Sequence, residues 1–288
     1  MCTIGNSFQS ENNFSGNCIF KQCDLVDSTA FLPPEVKTDP ITKIRYVAMT
    51  RKKADGSTPA WAGINEYGVS FVAADSYMDK DTVHSVSDKI YNGMTVFDMY
   101  LQTITQCTSA LEASKLACAF YEKHFKEPDI FMVADANSSY FIEAYNGNTS
   151  CIKRKKGFFA STNHFRMLYK GVPYNQNHST YLRLNRAEQI LQTNPMVSGI
   201  GDLLRDEYYG ETVWSVCRHS YNSGVSAEAR YYTQAAVIFY VSSQSAFPRI
   251  TCEYVINGNA SEAGKGYRWT PFENTAPEKV EYIGAKAF

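Results

Sequence analysis

At 288 residues the chain is long enough to close a substantial core without disulfides or metals. Its 28 basic and 29 acidic side chains leave a net charge of -1, and no run of like charge exceeds Lys153-Arg154-Lys155-Lys156, which excludes a polyanion-binding face and a nucleic-acid partner. No secretory apolar segment opens the chain, no apolar run approaches the roughly 18 residues of a membrane span, and the eight cysteines contain no C-x-x-C, so the expectation is a soluble, cytoplasmic protein without membrane partner, metal or cofactor.

The chain opens on Met1-Cys2-Thr3. Removal of Met1 would place a thiol and a free α-amine on one residue. An α-amine titrates at about pH 7.7 to 8.0, so near neutrality part of it is unprotonated and can take a proton from a neighbouring thiol. Cys2 is therefore a candidate self-contained nucleophile and base.

Mixed apolar runs over residues 2–8 and 17–22 predict two strands around the polar turn 9–16. The Pro33-Pro34 pair begins an irregular stretch, after which Ile44, Tyr46 and Ala48 alternate as in a strand. Residues 61–64 and 69–74 flank Asn65-Glu66-Tyr67-Gly68, a turn in which Gly68 takes positive φ at no steric cost. Between Thr95 and Phe125 the period changes. Val96, Met99, Tyr100 and Thr103 recur at helical spacing, and Ser109 with Glu112 forms a capping-box signature ahead of Leu116, Ala117, Phe120 and Tyr121, so two amphipathic helices are expected.

Strands are expected again over 130–134, 140–144, 151–153 and 158–161, helices over 180–192 and 200–209, and strands over 213–217, 235–241 and 250–256. Strands, helix pair, strands, helix pair, strands, joined mostly by hairpins, argue for an α+β fold in which helices cover antiparallel sheets. No linker divides the chain, which reads as one domain over 1–288 with residues 272–288 as a C-terminal arm.

Several segments in this order carry a family resemblance: Met1-Cys2-Thr3, Lys21-Gln22-Cys23-Asp24-Leu25, Gly63-Ile64-Asn65-Glu66-Tyr67-Gly68-Val69, Ser161-Thr162-Asn163-His164, residues 179–187 and Ser215-Val216-Cys217-Arg218-His219. Together they resemble the cysteine N-terminal-nucleophile (Ntn) hydrolases. The best match is the isopenicillin N acyltransferase-like branch, with bile salt hydrolases, penicillin V acylases and the dipeptidase and secernin group as relatives. The resemblance implies a four-layer αββα sandwich of two antiparallel sheets, with the nucleophile at the end of a central strand.

It also implies roles. The family nucleophile falls on Cys2, whose thiol would attack an amide carbonyl while its α-amine shuttles the proton, giving an acyl-thioester that water or an acceptor amine resolves. Asp24 matches the aspartate that orients the amine. Lys21 stands where many relatives carry an arginine, keeping the charge but not the planar fork. Asn163 matches the asparagine that donates to the oxyanion, a contact whose loss typically costs about 2.7 to 4 kcal/mol.

Asp75 replaces a second asparagine of bile salt hydrolases. An ionised carboxylate cannot donate a hydrogen bond, so only the Asp75 backbone N–H could serve an oxyanion. Arg183, with Arg186 one turn on as the alternative, matches an arginine beside the active site. Cys217-Arg218-His219 reads as strand structure near the pocket. The only residue ahead of the cysteine is Met1, so activation is expected to need methionine removal alone.

The implied function is hydrolysis, or acyl transfer, at linear amide C–N bonds of N-acyl compounds. The partner would be a small-molecule amide, and a homo-oligomer stays open. The rival readings are a dipeptidase of the same superfamily and an inactive acyl-ligand-binding descendant, the latter suggested by Lys21 and Asp75.

Overall fold

The computed structural model describes residues 1–11, 14–25, 30–77, 83–84, 90–91, 93–123, 125–169, 175–219, 231–243 and 248–285. The chain begins with β1 (Cys2–Glu11), β2 (Phe14–Leu25), β3 (Ala30–Phe31), β4 (Val36–Thr38), β5 (Arg45–Lys52), β6 (Ala60–Asn65), β7 (Ser70–Tyr77) and β8 (Val83–His84). Next come helices α1 (Val96–Thr105) and α2 (Ala110–Lys123), then β9 (Asp129–Ala134), β10 (Ser139–Tyr145), β11 (Asn148–Arg154) and β12 (Phe158–Ser161). Helices α3 (Ser179–Thr193) and α4 (Val197–Leu204) follow, and β13 (Tyr232–Ser242), β14 (Ile250–Ile256), β15 (Gly266–Trp269) and β16 (Glu278–Val280) close the order.

These strands build two antiparallel sheets. One runs β12-β1-β2-β13-β14-β15-β16, and the other β11-β10-β9-β7-β6-β5-β3, with β4 on β5 and β8 on β7. The central strands are apolar on both faces, and alternation divides each between two cores. In β13, Ala235, Val237 and Phe239 face the layer between the sheets, whereas Ala236, Ile238 and Tyr240 meet α3 and α4. In β9, Ile130 and Met132 face that same middle layer, and Phe131 and Val133 meet α1 and α2. Three cores thus separate four layers, α1/α2, sheet, sheet, α3/α4, in agreement with the expected αββα sandwich. Among the described residues, no helix is long and apolar enough to cross a membrane.

Local chemistry explains the elements that carry the site. Gly68 takes φ +81° and turns β6 back into β7. At Gly5 a Cβ would collide with the Phe159 carbonyl and the Phe20 ring, so glycine there lets β12 lie close against β1 and brings the loop after β12 to the chain's start. Helix α2 starts with a capping box displaced by one residue: Glu112 N–H donates to Ser109 Oγ (3.3 Å), but the Glu112 carboxylate accepts from Thr108 N–H at 2.8 Å.

Two expectations need correction. Residues 213–217 form no strand: Ser215 N–H donates to Thr212 O, its hydroxyl to Gly210 O, and the segment turns instead of pairing. The helix expected over 200–209 is α4, which begins at Val197 and ends at Leu204. Beyond it Asp206 is drawn into an ion pair with Arg186 (2.7 Å), and its carbonyl accepts Cys217 N–H. In the C-terminal part, β16 pairs with β15 and adds a sheet edge, and residues 286–288 lie outside the described residues.

The α1/α2 layer hides an acid. Asp129 is wholly buried and accepts Tyr100 Oη (2.7 Å) and Tyr121 Oη (2.5 Å) on one oxygen. Burial pushes its carboxyl up to about 7, and the two tyrosine hydrogen bonds only partly oppose the rise. An acid with a raised folded pKa contributes its stability at low pH. The unfolded carboxyl ionises near about pH 3.9, so stability is expected to fall as pH rises from about 4 to 7, by up to about 4 kcal/mol. Asp129→Asn should flatten this decline, measured as urea unfolding free energies across that range; parallel curves for variant and wild type would refute the assignment.

Candidate active site

The site begins where β1 begins. Met1 and Cys2 are both buried, and Cys2 faces the middle layer with Ile4, Cys23 and Trp61. The backbone N–H of Cys2 donates to Asn163 Oδ1 at 2.9 Å, and its carbonyl accepts Arg183 Nη1 at 2.8 Å. Arg183 also donates to Thr3 Oγ1 (3.1 Å) and, through Nη2, to Asn163 Oδ1 (2.8 Å). Two donors on Oδ1 fix the orientation of the Asn163 amide, and its Nδ2 donates to the Asp75 carbonyl at 2.6 Å.

Three elements clamp Asn163. It lies just past β12; its N–H donates to Thr180 Oγ1 (3.0 Å) in the first turn of α3, and its carbonyl accepts Tyr77 N–H (2.7 Å) at the end of β7. The same α3 turn is capped by His178, whose Nδ1 accepts Thr180 N–H at 3.3 Å. From there Arg183 points inward and is fully buried, whereas Arg186 bonds Asp206 and Gln189 near the surface. Packing therefore chooses Arg183 of the two arginines.

On the other side of β1, Lys21 and Cys23 of β2 face the same buried space. Lys21 Nζ donates to Trp61 O at 3.2 Å and lies 5.5 Å from the Trp61 ring centroid. A hydrogen bond between the Cys23 and Cys2 sulfurs lowers the Cys2 thiol to about 6; burial opposes this, and the Lys21 charge assists it. The same contact, with burial, drives Cys23 well up. Burial works against the Lys21 ammonium, yet its attraction to Cys2, Cys23 and Asp75 leaves its pKa raised. The contact thus favours the charged form on Cys2 and the neutral form on Cys23.

Asp24 meets Met1 through its backbone. Met1 N donates to Asp24 O (2.6 Å) and Asp24 N–H to Met1 O (2.8 Å). Burial lowers the pKa of the Met1 amino group. The Asp24 carboxylate is wholly buried, accepting Thr233 Oγ1 at 2.8 Å on Oδ1 and lying 3.6 Å from Arg218 Nε through Oδ2. Thr233 also takes Gln22 Nε2 (3.2 Å) and Arg218 N–H (2.9 Å), from a position where β13 bulges against β2. Arg218 is itself fully buried, reaching Ser179 Oγ (2.8 Å), the Val213 carbonyl and the Met1 sulfur (3.8 Å). The Tyr77 hydroxyl donates to that same sulfur.

Cys2, Lys21, Asp24, Asn163, Arg183 and the Asp75 backbone therefore converge on one buried region. Sequence reasoning did not assign Arg218, Thr233 or Tyr77. Arg218 was visible in Cys217-Arg218-His219, but its use as the partner of Asp24 was not.

Burial, then the charges of Arg166 and Arg183, lower His164 to about 3, so its imidazole is neutral and bonded to Thr180 Oγ1 (2.9 Å). His219 bonds Glu207 at 2.7 Å. Neither is arranged as a base for Cys2. Glu207, Cys217 and His219 bring one potential metal-ligand atom each within 4.8 Å of one another. Burial pushes the Cys217 thiol up to about 12.

Residues 53–227 match the family model described as acyl-coenzyme A:6-aminopenicillanic acid acyl-transferase. That span includes Asp75, Asn163, Arg183 and Arg218 but not Cys2, Lys21 or Asp24. No curated protein matches the chain significantly.

Among solved structures, the C2A mutant of conjugated bile acid hydrolase from Clostridium perfringens superposes with a TM-score of 0.54 at 12% identity, covering 98% of this chain and 97% of that one. The Caenorhabditis elegans ortholog of N-acylethanolamine-hydrolyzing acid amidase superposes with a TM-score of 0.50 at 11% identity, covering 83% of this chain and 92% of the other. At such identities the likeness shows the fold, that of the Ntn hydrolases.

Proposed function

The chain belongs to the acyl-coenzyme A:6-aminopenicillanic acid acyl-transferase family, and from that premise we propose that it cleaves linear amide C–N bonds of N-acyl compounds, by hydrolysis or acyl transfer, through Cys2 after removal of Met1. The observation that carries the reading is the hydrogen bond from Cys2 N–H to Asn163 Oδ1: the nitrogen that becomes the α-amine is already held beside the thiol and the candidate oxyanion donor. A second feature supports it. Asp24 Oδ2 is buried and accepts no hydrogen bond among the described residues, its cationic neighbour Arg218 Nε standing off at 3.6 Å, so it keeps capacity to accept from a free amine.

In this reading the Cys2 thiolate attacks the amide carbonyl. Asn163 Nδ2 carries two N–H groups, one of which donates to Asp75 O, and the other stabilises the oxyanion. The α-amine, oriented by Asp24, holds the proton and returns it to the departing amine. Water or an acceptor amine then releases the acyl group from sulfur. Arg183 is a positioning residue, locking the Cys2 carbonyl and Asn163 Oδ1 in one geometry. The buried space filled by Met1, with Tyr77 and Arg218 donating to its sulfur, is where the substrate enters.

Incubation with a pooled amide library, acid quenching and peptide mapping should reveal an acyl adduct on Cys2 at the chain's first residue. Adducts from dipeptides but not from acyl-amides would assign a dipeptidase instead. A chain that retains Met1 and acylates nowhere would end the proposal. Asn163→Ala is expected to lower kcat by about 10²- to 10³-fold with a smaller change in KM, as for other oxyanion donors. Equal kcat values for variant and wild type would remove Asn163 from that role.

A further inference from the structure

The pairing of β1 with β2 sets a second thiol against the first. Met1 and Asp24 exchange both backbone hydrogen bonds, at 2.6 and 2.8 Å, which makes them a hydrogen-bonded pair of the antiparallel ladder. The adjacent pair, Cys2 opposite Cys23, is then of the close, non-hydrogen-bonded kind. The Cys2 backbone agrees, since its N–H and carbonyl turn away from β2 to Asn163 and Arg183.

Directly opposite residues of this kind have Cα atoms about 4.5 Å apart and side chains on one face, within the roughly 4.4 to 6.8 Å that a disulfide spans. Both thiols are unbridged and buried in the middle layer, directly opposite each other in the β1–β2 register.

We propose that Cys2 and Cys23 are a peroxide-responsive pair, in which a hydroperoxide oxidises Cys2 and Cys23 then closes a disulfide that reversibly masks it. The step balances as follows. The Cys2 thiolate attacks one peroxide oxygen, the O–O bond breaks, hydroxide leaves, and sulfur gives up two electrons to become a sulfenic acid. The Cys23 thiol, losing its proton, attacks that sulfur; the S–S bond forms, the S–O bond breaks, and water leaves. A dithiol reductant returns the two electrons and both thiols.

The local charges suit this division of labour. Lys21 faces both sulfurs and favours the thiolate on Cys2, while Cys23 keeps its proton until it is needed as the resolving thiol. Disulfide closure also diverts the sulfenic acid from irreversible oxidation. The crosslink does not depend on amide cleavage, although its power to switch activity rests on Cys2 being the nucleophile proposed above.

Cys118 of α2 and Cys151 of β11 are a second pair of adjacent thiols, nearer the surface, so the test belongs in a Cys118→Ser/Cys151→Ser background. The full chain is treated with hydrogen peroxide, alkylated with N-ethylmaleimide and digested at Lys21. The expected product links the peptide holding Cys2 to the peptide holding Cys23, lighter by two hydrogens, with loss of alkylatable Cys2 and full recovery in dithiothreitol.

In Cys23→Ser and Cys23→Ala the link should vanish and Cys2 should gain two oxygens that dithiothreitol does not remove. Circular dichroism checks that both variants are folded. The pair is overturned if Cys2 stays alkylatable in the parent chain, or if it gains two oxygens equally fast with and without Cys23. Because the readout is mass, failure of the amide-cleaving reading leaves this result intact, and the converse also holds.

Discussion

Cys2→Ala is expected to reduce amide cleavage by about 10⁴-fold or more while the protein stays folded. The loss is large because nucleophile, base and orienting groups act as a unit, so removing the sulfur strands the rest. The fold should survive because β1 is held by its backbone. The Cys2 N–H and carbonyl bonds to Asn163 and Arg183 need no side chain, and deleting one buried sulfur opens only a small cavity.

The same sulfur sets the acid limb of the rate profile. Cys23 and Lys21 both hold the Cys2 thiol below its ordinary value, so in the proposed mechanism kcat/KM should rise as this thiol loses its proton, on the acid side of an ordinary cysteine. The hydrogen bond from Cys23 is the main cause of the lowering, so Cys23→Ala should move the limb upward. If Cys2→Ala leaves the biological phenotype intact, the inactive-descendant reading replaces the enzymatic one; an unchanged amide-cleaving rate would instead take the nucleophile's role from Cys2.

Arg218→Met should show the largest loss of stability, about 3 to 5 kcal/mol, read as a drop in Tm on the order of 10 °C. The reason is asymmetry. Asp24 and Arg218 are both wholly buried 3.6 Å apart, and methionine leaves the carboxylate in the interior with Thr233 as its remaining donor. The variant also loses the contacts by which Arg218 ties Ser179 of α3 to the 213–217 segment.

Removing both charges, as Asp24→Asn with Arg218→Met, should recover a substantial part of the loss, because no buried ion is then unpaired. Chemical denaturation of the two single variants and the double variant measures the coupling. A cost below about 1 kcal/mol for Arg218→Met would show that the carboxylate is solvated or neutralised in another way.

These two residues mark the limits of what could be read before folding. Cys2 was visible as a candidate because the chemistry proposed for it depends on chain position alone, and the strands around it because alternation is local. Residues 2–8 and 17–22 announce β1 and β2, although both strands extend further once sheet pairing supplies partners. Arg218 was quoted within its motif but read as strand structure, because nothing within a few residues of it is acidic and its carboxylate comes from β2.

The segment 213–217 misled for a related reason. Val213, Val216 and Cys217 are strand-like in propensity, but the chain there is drawn into turns by Ser215 and by Arg218 reaching back to the Val213 carbonyl. Tertiary contacts overrode local preference. The choice between Arg183 and Arg186 was equally open in sequence, since both lie on one helix about one turn apart. Burial of one helix face against β12, from which Arg183 reaches Cys2 and Thr3 of β1, decided it.

By itself, then, the sequence determined the α+β order of elements, the amphipathic faces that separate into three cores, and the candidate nucleophile, because periodicity and residue chemistry are properties of short stretches. Only the tertiary structure decided that Asn163 bridges Cys2 and Arg183, that Arg218 answers Asp24, and that Cys23 lies against Cys2. Those are matters of strand register and of layers packed from opposite ends of the chain. The hydrogen bond from Arg183 to the Cys2 carbonyl, for example, joins residues 181 positions apart, and its geometry is set by how the sheets and α3 close over the core.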